Sequence, residues 1–166
     1  VTYHNDAPEP VAGKPVAEEE VMQGFGHVHE RAQEIIRHGK NWRLWVLCDR
    51  DPVERWVDGR VALLGDAAHP MLQYFAQGAC QAMEDAVCLS HMLSQHDDLA
   101  QALEAYRAQR FLRTAKVQLM SRAIGEHIYH PAVGHARLRN AIMGAKTSEQ
   151  WYGDLAWLYG GTGLAG

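Results

Sequence analysis

The chain is poor in cysteine, has no long apolar run and carries no surplus of positive charge. Its 166 residues include three cysteines, Cys48, Cys80 and Cys88, and none sits in a C-x-x-C pair. That excludes a zinc ribbon and a disulfide framework, and points to reduced, buried thiols in a cytoplasmic protein. Cys80 and Cys88 fall on one predicted helix, too far apart along it to bond to each other. A formal net charge of -4 and an isoelectric point near 6.2 leave no electrostatic footprint for nucleic acid. No apolar segment approaches the roughly 20 residues that a membrane-spanning helix needs, so no membrane partner is expected. The opening VTYHNDAPEP has neither a basic n-region nor an apolar h-region, so it does not read as a signal peptide. No internal repeat or low-complexity tract is present. The histidines include His27-x-His29 and the trio His127, His130 and His135. Pro131 breaks the i, i+4 spacing that a helical metal site uses, and no paired cysteines accompany either set, so no metal is expected.

What remains is an ordinary globular composition, 47% hydrophobic with a mean hydropathy of -0.32. A chain this long, folded as one domain, buries roughly two-thirds of its unfolded surface. Residues 5–17 hold three prolines and a glycine and read as a surface loop. Glu18-Glu19-Glu20 load the first turn of a helix that ends near Phe25, where the helix dipole favours negative charge. A second helix begins near His29, carries Ala32, Ile35 and Ile36 at helical spacing, and ends at Gly39. Residues 42–48 alternate as a strand. Asp49-Arg50-Asp51-Pro52 is a turn, because the residue before proline disfavours helix, and Asp58-Gly59 is a turn pair. A helix over 98–128 buries Leu99, Leu103, Tyr106, Leu119, Ala123 and Ile124. Arg107, Arg110, Arg113 and Lys116 form its basic flank, read as a solvated face or as ion-pair partners for an acidic neighbour. Helices over about 135–145 and 149–158 complete the chain.

The rest of the chain is organised around residues 60–89. Val61, Leu63 and Leu64 form a brief apolar run without polar alternation, which predicts a strand buried on both faces. Gly65 lets the backbone pass close to a neighbour. Asp66 then puts a carboxylate at the strand's carboxyl end, where ligands sit in open α/β folds. A helix over 77–95 opens at Gln77-Gly78 and aims its unpaired N–H groups and positive dipole end at the same crevice. Ala79, Ala82, Met83, Ala86, Val87, Ser90 and Leu93 make its apolar stripe. The competing reading of Asp66 is a turn or capping residue, and that of Pro70 a simple turn proline.

The elements Gly65-Asp66-Ala67-Ala68-His69-Pro70, Gln77-Gly78 and Glu84-Asp85-Ala86 resemble, in this order, the second flavin-binding motif of the class A flavoprotein aromatic hydroxylases. Within that family the segment from Met71 to Cys80, and the tail from Trp157 to Leu164, look most like the 3-hydroxybenzoate 6-hydroxylases of the salicylate hydroxylase group. The resemblance implies an α/β fold, seen here as a fragment. It would be part of a Rossmann-like FAD-binding domain, with a strand remnant of the substrate domain and a mainly helical C-terminal half. Residues 1–48 would be the substrate-domain remnant with connecting helices, and residues 49–166 the end of the FAD-binding domain. No G-x-G-x-x-G opens a βαβ unit, and Val1-Thr2-Tyr3-His4 looks like the end of a strand, so the expectation is the C-terminal part of a longer protein.

The cofactors so implied are FAD and, as co-substrate, NADH or NADPH. The partners are a small aromatic acid and a possible second copy of the chain. Asp66 would bind ribitol hydroxyls, with Gly65, Gln77, Gly78, Ala79 and Arg50 completing the cofactor contacts. Pro70 would line the site where oxygen reacts, and Gln73 would face the substrate ring. Tyr74 and Phe75 would wall the site or simply pack, and His69 reads as structural. The implied reaction is hydroxylation of 3-hydroxybenzoate to gentisate. The alternatives are a salicylate-type hydroxylase, or a non-catalytic piece that serves folding or dimerisation.

Overall fold

The computed structural model describes residues 9–162 and Leu164. The strand expected at Val1–His4 lies outside them. The chain forms two compact units, divided between Cys48 and Asp49. It is mostly helical with two small sheets.

In the first unit β1 (Ala12–Pro15) pairs antiparallel with β2 (Arg43–Trp45), Lys14 opposite Leu44 and Pro15 opposite Arg43. The reading of 5–17 as loop throughout is therefore corrected at 12–15. Gly13, at φ +70°, forms an irregularity in the ladder, and Pro15 sits at the strand's end, where its missing N–H costs little. The strand predicted over 42–48 is shorter than its alternation suggested. Helix α1 (Glu18–Phe25) carries its three glutamates in the first turn as expected, and α2 (Glu30–Arg37) is capped by His29, whose Nδ1 accepts from the Arg31 N–H at 3.2 Å. Val21, Phe25 and Ile36 bury together against Val16, Val28 and Trp42.

The second unit begins with a hairpin, β3 (Val57–Asp58) and β4 (Val61–Ala62), turned by Gly59 at φ +59°. The expectation of a strand buried on both faces fails here. Only two residues pair, and among the described residues β4 has one neighbouring strand: Ala62 packs on the core, while Val61 on the other face is 64% exposed. Two short 3-10 turns follow, Gly65–Ala67 and Gln73–Phe75, and lead into α3 (Gly78–Gln95). Helix α4 (Leu99–Ile124) starts at an Asp98 cap, where Oδ1 accepts from the Gln101 N–H at 2.9 Å. It passes into a π-helical turn, Gly125–Tyr129, rather than continuing as α-helix to 128. Helices α5 (Val133–Ala145) and α6 (Ser148–Tyr159) close the chain, α6 with a Thr147/Gln150 capping box.

The core joins Trp56, Ala68, Cys88 and Tyr106, with Leu63, Leu89, Met92 and Phe111 packed against them. The buried side of α3 corrects the expected stripe. Met83, Val87 and Leu93 are exposed, while Gln81, Asp85 and Cys88 are buried. Helix α4 presents Arg110 to that side, and a buried guanidinium needs polar company. On α4 itself Leu119 is exposed, and Val117, Gln118 and Ser121 are buried instead. Of the three thiols, Cys88 is buried but Cys48 and Cys80 are exposed. No helix among the described residues is long and apolar enough to cross a membrane.

Candidate functional site

The loop from Gly65 to Gln77 joins β4 to α3, and several backbone groups along its first half are tied to named partners. Gly65 takes the left-handed region at φ +59°, and a Cβ there would come within 3.2 Å of the Ala82 methyl. Its N–H donates to Asp85 Oδ2 at 3.0 Å. The Ala68 and His69 N–H groups both donate back to the Gly65 carbonyl at 2.9 Å, closing the turn. From outside, Arg50 Nη2 donates to the Ala67 and Ala68 carbonyls at 2.7 and 2.8 Å. Gln118 Nε2 reaches across to the carbonyls of Arg50 and Pro70 at 3.1 and 3.0 Å.

Asp66 stands apart from these ties. Its side chain is exposed, has no hydrogen-bond partner among the described residues, and points at the start of α3. A Cβ at Gly78 would lie 3.8 Å from Asp66 Oδ1. Helix α3 opens without a side-chain cap, so its first N–H groups face the same space as the carboxylate. A carboxylate that accepts, amides that donate, and no side chain between them at position 78 fit a ligand carrying both hydroxyls and a partly negative ring edge. The residues present therefore fit the hydroxyl chain and ring of a flavin.

The other predicted residues fall into three groups. Gly78 faces the Asp66 carboxylate; Gly65 precedes Asp66 in the chain, and Ala79 follows Gly78 on α3 and is exposed. Gln77 is buried, and its amide is committed to protein: Nε2 donates to the Tyr159 hydroxyl at 3.3 Å and Oε1 accepts from Gln81 at 3.2 Å. Only its backbone faces the helix start. Pro70 is half-buried, and Gln73 is exposed at the beginning of its 3-10 turn. Arg50 is occupied in holding the loop's carbonyls. Tyr74 turns away from solvent. Its hydroxyl meets His130 Nε2 at 3.1 Å, its ring lies near Tyr129, and it fills the room left by Gly125. Burial pushes its phenol pKa up. Phe75 meets Trp157 edge-on at 6.2 Å.

The ion-pair reading of the basic flank holds at Arg110 and Arg113, but the sequence did not show that the network they join is buried behind this loop. Asp85, fully buried, accepts from Gly65 N–H, from His69 Nε2 at 2.6 Å and from Arg110 Nε at 2.7 Å. Arg110 also reaches Glu84 at 2.6 Å and Gln81 Oε1 at 2.8 Å. Arg113 forks onto Glu84 and donates to the Trp157 and Leu158 carbonyls, which fastens α6. The available signal was the basic flank itself, since Arg110 and Arg113 stand opposite Glu84-Asp85. Lys116 lies over the Trp157 ring, 3.9 Å from its centroid.

Burial alone would raise the Asp85 carboxyl, but His69, Arg110 and the Gly65 N–H outweigh it and hold it below the ordinary carboxylate range. Glu84 is likewise held low, burial being overcome by Arg113 and Arg110. A carboxyl depressed in the folded state adds stability that is complete above its unfolded value, near pH 4, and lost as pH falls through the folded one. The urea midpoint should therefore be level from about pH 5 upward and fall below about pH 4. Asp85→Asn should flatten that fall; an unchanged acid slope in this variant counts against the network.

Comparison with known proteins gives the family. A family model described as FAD binding domain matches residues 14–121. The chain is 50% identical over 160 residues to 3-hydroxybenzoate 6-hydroxylase 1 of Aquipseudomonas alcaligenes, a match covering 96% of the chain and 41% of that protein. It is 40% identical to 3-hydroxybenzoate 6-hydroxylase of Klebsiella oxytoca, covering 96% of the chain and 40% of the relative. Among solved structures it resembles Klebsiella pneumoniae HpxO complexed with FAD and uric acid, with a TM-score of 0.73 at 30% identity over 83% of this chain and 36% of that one. It also resembles a salicylate hydroxylase substrate complex, with a TM-score of 0.69 at 29% identity over 97% of this chain and 38% of that one. The chain thus spans about two-fifths of the length of these relatives. The matched stretch takes in the whole loop from Gly65 to Gln77 and the helices that hold it, and the chain belongs to the FAD binding domain family.

Proposed function

We propose that the protein carrying this chain is an FAD-dependent monooxygenase that hydroxylates a phenolic benzoate, preferring 3-hydroxybenzoate and yielding gentisate. Bound FAD would supply the redox chemistry, with NADH or NADPH as electron donor and O2 as co-substrate. The observation that carries this reading is the convergence of Asp66 and the uncapped start of α3 at Gly78. In it, Asp66 accepts from the cofactor's hydroxyls. The N–H groups of Gly78 and Ala79, with the Gln77 backbone, favour negative charge on the ring edge. Gly65 gives the loop its turn, and Arg50 holds its shape from outside. Pro70 lines the place where oxygen reacts, and Gln73 orients the aromatic acid.

The names of the relatives support the choice of substrate, and the structural likeness to a salicylate hydroxylase keeps a salicylate-type reaction as the second reading. We assign residues 1–48 to the end of a substrate domain and residues 49–166 to the FAD-binding domain, the whole acting as a possible homodimer. In the whole protein, Asp66→Ala should weaken FAD binding by about tenfold to a hundredfold, the loss of one or two charge-assisted hydrogen bonds. A flavin-fluorescence titration reads this, and unchanged affinity would remove the proposed role. Turnover on 3-hydroxybenzoate against salicylate decides the substrate, and absence of the former gives the second reading.

A further inference from the structure

We propose that the buried Asp85–His69 pair is the positioning device of the cofactor loop, setting the direction of Asp66 and acting on FAD only through it. The inference rests on the FAD reading above and adds to it two residues that do not touch the site. Asp85 Oδ2 accepts both from the Gly65 N–H at 3.0 Å and from His69 Nε2 at 2.6 Å. One carboxylate oxygen thus holds the residue before Asp66 and the end of the turn after it. The left-handed backbone at Gly65 is the pivot from which Asp66 departs, so a small rotation there swings the Asp66 carboxylate away from Gly78.

His69 is suited to this use and to little else. It is fully buried, its Nδ1 has no hydrogen-bond partner among the described residues, and its ring lies 5.5 Å from that of Trp56. Its one hydrogen bond through the ring is to Asp85, so Nε2 carries the proton that Asp85 accepts. Arg110 completes the carboxylate through the other oxygen, Oδ1, and leaves Oδ2 to the loop. The two oxygens divide the labour: one binds the fold, the other binds the turn.

The test is a double-mutant cycle in the whole protein, read as FAD affinity by fluorescence titration. His69→Phe keeps a ring against Trp56 and removes the donor to Asp85. It should weaken FAD about tenfold, and His69→Gln, which restores a donor at that reach, should recover to within about threefold of wild type. In an Asp66→Ala background His69→Phe should cost no more than about twofold further, because its effect passes through Asp66. Full additivity of the two losses, or wild-type affinity in His69→Phe, overturns the proposal while leaving the FAD reading intact. A wild-type protein that binds no FAD ends both. If His69→Phe does not fold, Asp85→Asn serves in the same cycle, since it loses the acceptor for the Gly65 N–H with almost no change in shape.

Discussion

Arg110→Ala should destabilise the protein by roughly 3–5 kcal/mol, measured as the fall in the urea-unfolding midpoint at neutral pH. The side chain is fully buried and joins Glu84, Asp85 and Gln81 in one guanidinium. Its removal takes the arginine from the buried Asp85 carboxylate and leaves Glu84 with Arg113 as its remaining cation beside the Gln81 amide. The cost comes from that stranded charge more than from any large net worth of the intact pair. Since whole domains have only about 5–15 kcal/mol of stability, the variant should lie at the edge of folding at 37 °C. Arg110→Lys should recover little, because an ammonium cannot fork to two carboxylates and an amide at once. A midpoint change worth less than about 1 kcal/mol would mean that the network is solvated and weak.

The turn at Gly65 and most helices were legible in the sequence because their signals are local, whereas the flavin reading of the loop came from its resemblance to a family. Gly65-Asp66 at a strand end, Gly78 at a helix start, and the glutamates ahead of Val21 each act within a few residues of themselves. What was not legible depends on neighbours distant in the chain. The stripe of Ala79, Met83 and Val87 has the period of a buried face, yet Met83 and Val87 are exposed, because α4 meets the opposite side. Periodicity gives a helix's amphipathic direction only if the core is apolar, and here the α3–α4 seam is held by Gln81, Asp85 and Arg110. Arg50 is a second case of a contact set by distant residues. The family resemblance marked it as a cofactor contact, but only the fold reveals that its guanidinium is taken up by the Ala67 and Ala68 carbonyls. Gln77 follows the same pattern, since its position at the helix start was readable and the inward turn of its amide toward Tyr159 was not.

Trp56→Ala is the second large effect, expected at roughly 3–5 kcal/mol from lost burial and the cavity left behind. The indole is 3% exposed and lies against three rings, His69 at 5.5 Å, Tyr106 at 5.9 Å and Phe111 at 6.1 Å between centroids. Its backbone also pairs with the hairpin, the Leu63 N–H donating to the Trp56 carbonyl at 2.9 Å, while Tyr106 donates to the Leu63 carbonyl at 3.1 Å. The ring is therefore the packed floor beneath both the hairpin and His69. Trp56→Phe should cost much less, about 1–2 kcal/mol, since a ring remains and the buried Nε1, which has no hydrogen-bond partner among the described residues, is removed. The two variants separate stability from positioning. If the floor serves only stability, FAD affinity of the folded fraction is the same in both. If it also holds His69 in place, Trp56→Ala weakens FAD severalfold in protein that is still folded, and Trp56→Phe does not. Equal affinities in the two folded variants would confine Trp56 to the core.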